Sequence, residues 1–155
     1  MIGDGPDATR PIKVLEFNCR MGDPETQPIM MRIRNDFSEV VEHAIAGTLD
    51  QARIDWDPRT ALGVVMASHN YPGTPRTGDA ITSIPDASAE CVTFHAGTRV
   101  QDGVLQTSGG RVLCVTALGS TPAAAREIAY ATLEKIRFDG SQYRKDIGWR
   151  ALKPA

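Results

Sequence analysis

The sequence predicts an α+β protein in two unequal parts: a strand and two helices over residues 1–50, then a small β-rich unit with one long helix over residues 51–155. Three observations predict it. Pro11 to Cys19 alternates apolar and polar residues and then gives way to two helical patterns. Leu49 to Arg59 turns polar, with Asp-Trp-Asp-Pro at Asp55 to Pro58, and marks the boundary. Beyond Arg59, short apolar runs separated by Pro/Gly loops lead to one helical stripe after Thr121.

In the first strand Leu15, Phe17 and Cys19 point one way, predicted to pack, while Glu16, Asn18 and Arg20 point the other. Asp23 as N-cap and Pro24 as first helical residue predict a helix to about Ile33. Asp36 with Glu39 has the capping-box pattern of a second helix. Its apolar face holds Phe37, Val40, Val41, Ala44 and Ile45, and Gly47 stops it.

Ala61 to Ala67 is short and apolar, a buried strand, followed by a rigid loop from Tyr71 to Gly78. Ala80 to Ile84 and Cys91 to His95 read as further strands. Thr98 to Thr107 holds Asp102-Gly103 between alternating arms, the pattern of a hairpin whose type I′ turn needs positive φ at both central residues. Arg111 to Leu118 is another buried strand, and Thr121-Pro122 opens a helix to about Ile136. The stripe of that helix is Ala125, Ile128, Ala129, Thr132, Leu133 and Ile136. The remaining tail is loop-like with aromatic anchors.

Composition narrows the function classes. Apolar residues make up 41% and charged residues 23% of 155, a soluble, cytosol-like balance that disfavours disorder and membrane insertion. A net charge of -2 with scattered Lys and Arg gives no field for a nucleic-acid backbone. Cys19, Cys91 and Cys114 are far apart, without the pairing of a zinc site or redox dithiol, and are read as buried thiols in a reducing compartment. No segment approaches the ~20 apolar residues of a membrane span. Met1-Ile2 resembles a strand tail and Gly3 to Arg10 a hairpin loop without its partner, so the chain is expected to begin inside a larger protein.

The chemistry concentrates in Lys13 to Thr26, K-V-L-E-F-N-C-R-M-G-D-P-E-T. Glu16 and Asn18 place two oxygen ligands side by side, which suits Mg²⁺ held by a few protein oxygens with phosphates and water completing the octahedron. Arg20, one step further along, suits a phosphate or carboxylate beside the metal. The same stripe is also what a half-exposed antiparallel strand presents to solvent, and Asp-Pro-Glu is also what a helix N-terminus prefers without any ligand. His43 is read as solvated, and His69 and His95 lack the Cys or Asp partner that would make them catalytic. Tyr71-Pro72-Gly73 and Gly109-Gly110 set turns, a glycine pair also being able to admit a ligand. Trp56 and Trp149 are read as packing anchors.

E-F-N-C-R-M-G-D-P-E-T-Q, Glu16 to Gln27, closely resembles the end of the ATP-grasp region of the phosphoribosylamine-glycine ligases, also called glycinamide ribonucleotide synthetases. The likeness continues through W-D-P-R with A-L-G-V-V at Trp56 to Val65, Y-P-G with G-D at Tyr71 to Asp79, and F-H-A-G-T at Phe94 to Thr98. It ends with G-G-R-V-L-C-V-T-A-L-G at Gly109 to Gly119 and F-D-G with Y-R-K-D-I-G at Phe138 to Gly148.

The resemblance implies the last strand and helices of an ATP-grasp domain over residues 1–50 and a small, single-hybrid-like C-terminal domain over residues 51–155. It implies a cytoplasmic purine-biosynthesis ligase that uses ATP to activate glycine as glycyl phosphate, which 5-phosphoribosylamine then attacks. By that likeness Glu16 and Asn18 are the Mg²⁺ or Mn²⁺ ligands. Arg20 lies by the transferred phosphoryl group or the acyl phosphate, and Asp23 either meets the glycine ammonium or caps the helix. The elements that bind adenine and substrates in this family have no counterpart here, so the resemblance also implies a missing N-terminal ATP-grasp portion as partner and a chain inactive alone. Two other readings are a non-catalytic packing module and another ATP-grasp carboxylate-amine ligase.

Overall fold

A computed structural model describes residue 17 and residues 19–152. Its centre is β5 (Arg111–Gly119), buried at every position after the first. That burial follows from covering on both faces, which makes a strand read as one apolar run rather than an alternation. On one side β5 pairs antiparallel with β1 (Thr60–Ala67), on the other with β2 (Cys91–His95). β1 pairs in turn with the two-residue β6 (Gln142–Tyr143), so the sheet order is β2-β5-β1-β6.

Register decides which side chains meet which helix. Leu62, Val64 and Met66 of β1 stand opposite Ala117, Val115 and Leu113 of β5. With Ala125, Ala129 and Leu133 of α3 (Pro122–Leu133), and with Ile136 and Phe138, they form the core. One residue out of phase, Gly63 stands opposite Thr116 and Val65 opposite Cys114 on the other face. There α1 (Thr26–Arg32) crosses the sheet, and Pro28 Cγ lies 3.2 Å from where a Cβ on Gly63 would be. The sheet is thus a middle layer between α1 and α3.

The local devices are mostly those expected. The Thr121 hydroxyl accepts from Ala124 N–H and Pro122 opens α3. α3 ends at Leu133 rather than Ile136, because Lys135 and Ile136 bond three residues back and tighten the last turn. β3 (Thr98–Gln101) and β4 (Val104–Thr107) make a two-stranded hairpin turned by Asp102 at φ 51° and Gly103 at φ 74°, the predicted pair of positive angles. α2 (Phe37–Ala46) is capped by Asp36, which accepts from Ser38 N–H, and is closed by Gly47 at φ 70°.

Four expectations are corrected. Ala80 to Ile84 is not a strand: Ala80 bridges Gln106 and Thr82 bridges Arg137 singly, and Ser83 at φ 60° turns the chain before a ladder can form. The helix predicted from Pro24 begins at Thr26, with Glu25 rather than Asp23 at the N-cap position. Phe17 and Cys19, read as a packing face, are exposed, Phe17 at 83%, since no described strand lies beside them. Among the anchors, Trp56 and Trp149 are over 40% exposed, each with an arginine over its ring (Arg32 at 5.7 Å, Arg150 at 5.6 Å) rather than sunk in the core. The apolar face of α2 is also uncovered among the described residues: Ile45 is 82% exposed and Val41 42%.

Candidate functional site

The predicted site divides between described and undescribed residues. Glu16 and Asn18, the expected metal ligands, lie outside the described residues, as does the strand from Pro11 apart from Phe17 and Cys19. Arg20 and Asp23 are described. With Met21, Gly22, Glu25 and Ile29 they line an open concavity of about 570 Å³. Arg20 is exposed, and its Nη1 donates to Met21 O at 3.2 Å.

Asp23 does not cap α1. Its Oδ2 lies 3.1 Å from Nη2 of Arg111, and Arg111 Nη1 donates to its backbone carbonyl, also at 3.1 Å. Its Oδ1 accepts from Gln27 Nε2 at 3.3 Å. The carboxylate is therefore drawn towards the head of β5 instead of folding over the first helical N–H groups. The helix start is stabilised instead by Thr26, whose N–H and hydroxyl both donate to Gly22 O. Glu25 lays its carboxylate over Gly22, where an added side-chain carbon would displace it.

Three further clusters were not singled out from the sequence as functional. Arg111 joins the Asp23 turn to a second concavity of about 380 Å³ beside Val65, Tyr71, Pro72 and Gln142. Arg76 donates to Asp79 at 2.9 Å and to Asp139 at 2.6 Å, tying the Tyr71-Pro72-Gly73 loop to Phe138-Asp139-Gly140. Asp57 is buried, takes a two-pronged contact from Arg59 (3.0 and 2.8 Å) and a longer one from Arg34 (3.4 Å). Hydrogen bonds from Arg59 hold its carboxyl far below the usual carboxylate range. The signal for each was charge inside an otherwise apolar or turn-rich motif: W-D-P-R, R-T-G-D and G-G-R-V-L.

The histidines stay outside this chemistry. His43 and His95 each share a hydrogen bond with a threonine hydroxyl, Thr48 at 2.9 Å and Thr98 at 3.1 Å. His69 packs against Gly140. Cys91 and Cys114 are buried as expected, and burial pushes the Cys114 thiol up. Among the described residues no group of three or more His, Cys, Asp or Glu side chains could hold a metal ion, and no helix is long and apolar enough to cross a membrane.

A four-stranded antiparallel sheet between two helices, with a hairpin beside it and an acidic turn pinned to its central strand, defines a mixed α/β domain. The family model described as "Phosphoribosylglycinamide synthetase, C domain" matches residues 61–150, and the chain belongs to that family. Proteins named phosphoribosylamine–glycine ligase match beyond the domain. That of Ralstonia nicotianae is 61% identical over 147 residues, covering 95% of this chain and 35% of the relative. That of Neisseria meningitidis serogroup A is 54% identical over 139 residues, covering 89% and 33%. The crystal structure of phosphoribosylamine–glycine ligase from Thermotoga maritima superposes with a TM-score of 0.73 at 38% identity, over 86% of this chain and 33% of that one. The chain thus spans about a third of the length of the relatives it matches, corresponding to their C-terminal portion.

Proposed function

We propose that this chain supplies the C-terminal third of an ATP-dependent ligase that joins 5-phosphoribosylamine to glycine in purine biosynthesis. The observation that carries the reading is the 61% identity over 147 residues with a protein of that name, which extends well upstream of the matched C domain. Residues 1–50 are then the end of an ATP-grasp domain and residues 51–155 a single-hybrid-like C domain. The uncovered face of α2, with Val41 and Ile45, is where the rest of the ATP-grasp domain packs. The complete enzyme works in the cytoplasm and the chain alone does not turn over.

In this reading the glycine carboxylate attacks the γ-phosphorus of ATP, the bond to ADP breaks, and glycyl phosphate forms. The amine of phosphoribosylamine attacks the acyl carbon, phosphate leaves, and the nitrogen loses a proton to give the amide. Glu16 and Asn18, one carboxylate and one amide oxygen at two-residue spacing, fit a hard Mg²⁺ or Mn²⁺ ion, whose charge would neutralise the ATP phosphates. Arg20, exposed on the concavity, offers fixed positive charge to the phosphoryl oxygens as they are transferred. Asp23 keeps lone pairs beyond those given to Arg111 and Gln27, enough to accept a hydrogen bond from the glycine ammonium.

The test is a chimera in which this chain replaces the matching third of the Ralstonia ligase. Glu16→Gln in it should abolish metal-dependent ADP release, and undiminished metal-dependent turnover would refute the ligand assignment. The second reading, in which the β-rich part after Arg59 is a packing module without catalytic groups, draws on the α2 face left uncovered among the described residues. It predicts a Glu16→Gln chimera as active as its parent.

A further inference from the structure

We propose that Arg111 is a positioning residue for the ligase reaction: from the head of β5 it holds the Gly22–Glu25 turn, and with it the Asp23 carboxylate, against the sheet. The inference rests on the reading that this turn faces the reacting groups. Arg111 and Asp23 are 88 residues apart in the chain. One guanidinium nitrogen reaches the Asp23 carbonyl and the other its carboxylate, so a single planar group fixes both the peptide and the side chain. Among the described residues these are the only side-chain hydrogen bonds that join residues 20–25 to the sheet; the turn's other side-chain bonds are local, to Met21, Thr26 and Gln27.

The backbone of the anchor is tied into the sheet and the neighbouring loop. The backbone carbonyl of Arg111 accepts from Gly97 N–H at 2.8 Å and that of Gly110 from Ser68 N–H at 2.9 Å. The fully buried Ser68 hydroxyl donates to Gly109 O at 3.0 Å. The Tyr71 ring fills the place a Cβ on Gly110 would take, with Cδ2 2.5 Å away. The Y-P-G and G-G-R motifs therefore act together: the two loops lock each other, and Arg111 projects from the lock onto the acidic turn. An exposed pair of this kind contributes little to stability. A displacement of about 1 Å at a reacting group, however, costs on the order of 100-fold in rate.

The test has two arms. In the 155-residue chain, Arg111→Gln should speed amide exchange at Thr26, whose N–H is bonded to Gly22 O, while leaving the β5 amides protected. In the chimera, Arg111→Ala should lower kcat/KM for glycine about 10- to 100-fold with KM for ATP unchanged, and Arg111→Lys should recover part of the loss. Combined with Asp23→Ala, Arg111→Ala should cost clearly less than it does alone, because the carboxylate it positions is already gone and only its bond to the residue-23 carbonyl is left to lose. Unchanged exchange at Thr26, or losses that simply multiply in the double variant, would overturn the proposal. A parent chimera without turnover refutes the ligase reading instead, and Arg111 is then judged by exchange alone.

Discussion

Arg59 grips Asp57 with two nitrogens, Nε at 3.0 Å and Nη2 at 2.8 Å, and the carboxylate it holds is buried between the polar boundary stretch and the sheet. The same residue is tied to the other side of that boundary: Asp57 N–H donates to Arg32 O at 2.7 Å, and Arg32 Nε donates to Asp57 O at 3.0 Å. Asp57 therefore joins the end of α1 to the start of β1. Its folded pKa is lowered, so its contribution to stability is complete above the unfolded value of about 3.9 and is lost as pH falls through the folded value. Asp57→Asn should lower Tm at pH 7, and the gap between the two proteins should narrow as melts are run below about pH 4. A gap independent of pH would show that the charge is not what matters.

The docking of α3 depends on Gly119. A side-chain carbon there would meet the backbone of Ala124 and Ala125 at the helix's first turn, with the Ala124 carbonyl carbon 2.7 Å away. Since backbone cannot swing aside as a flexible side chain can, Gly119→Ala should cost about 1–3 kcal/mol. Denaturant melts measure it.

At the start of the same helix, Thr121 satisfies one free backbone donor through its hydroxyl. Thr121→Ala should cost about 1 kcal/mol and Thr121→Ser close to nothing. Equal losses in the two variants would assign the effect to the methyl group instead.

The face of α2 left uncovered among the described residues tests the proposed packing partner. Ile45→Asp should change the stability of the 155-residue chain by no more than about 0.5 kcal/mol, as exposed substitutions do. In the chimera, where the proposal covers this residue, the same change should cost about 2 kcal/mol or more through an unpaired buried charge. Equal small effects in both settings would leave the α2 face without its proposed partner.

What could be read from the chain was what is encoded locally. β1, β5, the Asp102-Gly103 hairpin and the Thr121-Pro122 helix start rest on periodicity or on turn and cap chemistry within a few residues, and all were legible. What was missed depends on distant partners. Asp23 has the residue type of an N-cap but is captured by Arg111 from β5. Ala80 to Ile84 has strand composition, but its two neighbours, Gln106 and Arg137, come from different parts of the chain and each pairs once. Phe17 and Cys19 have the alternation of a packed face with no described surface to pack on. For the candidate site, the motif identified the Gly22–Glu25 turn, whereas the residue that holds it stood far off in a strand whose other positions are buried.

The most direct test of the chain as one third of a ligase is ADP release measured in three samples: the 155-residue chain alone, the Ralstonia ligase lacking its matching third, and the chimera of the two. Glycine- and phosphoribosylamine-dependent release from the chimera, with none from either piece, is the expected result. Turnover by the chain alone, or a folded chimera that releases no ADP, would contradict it.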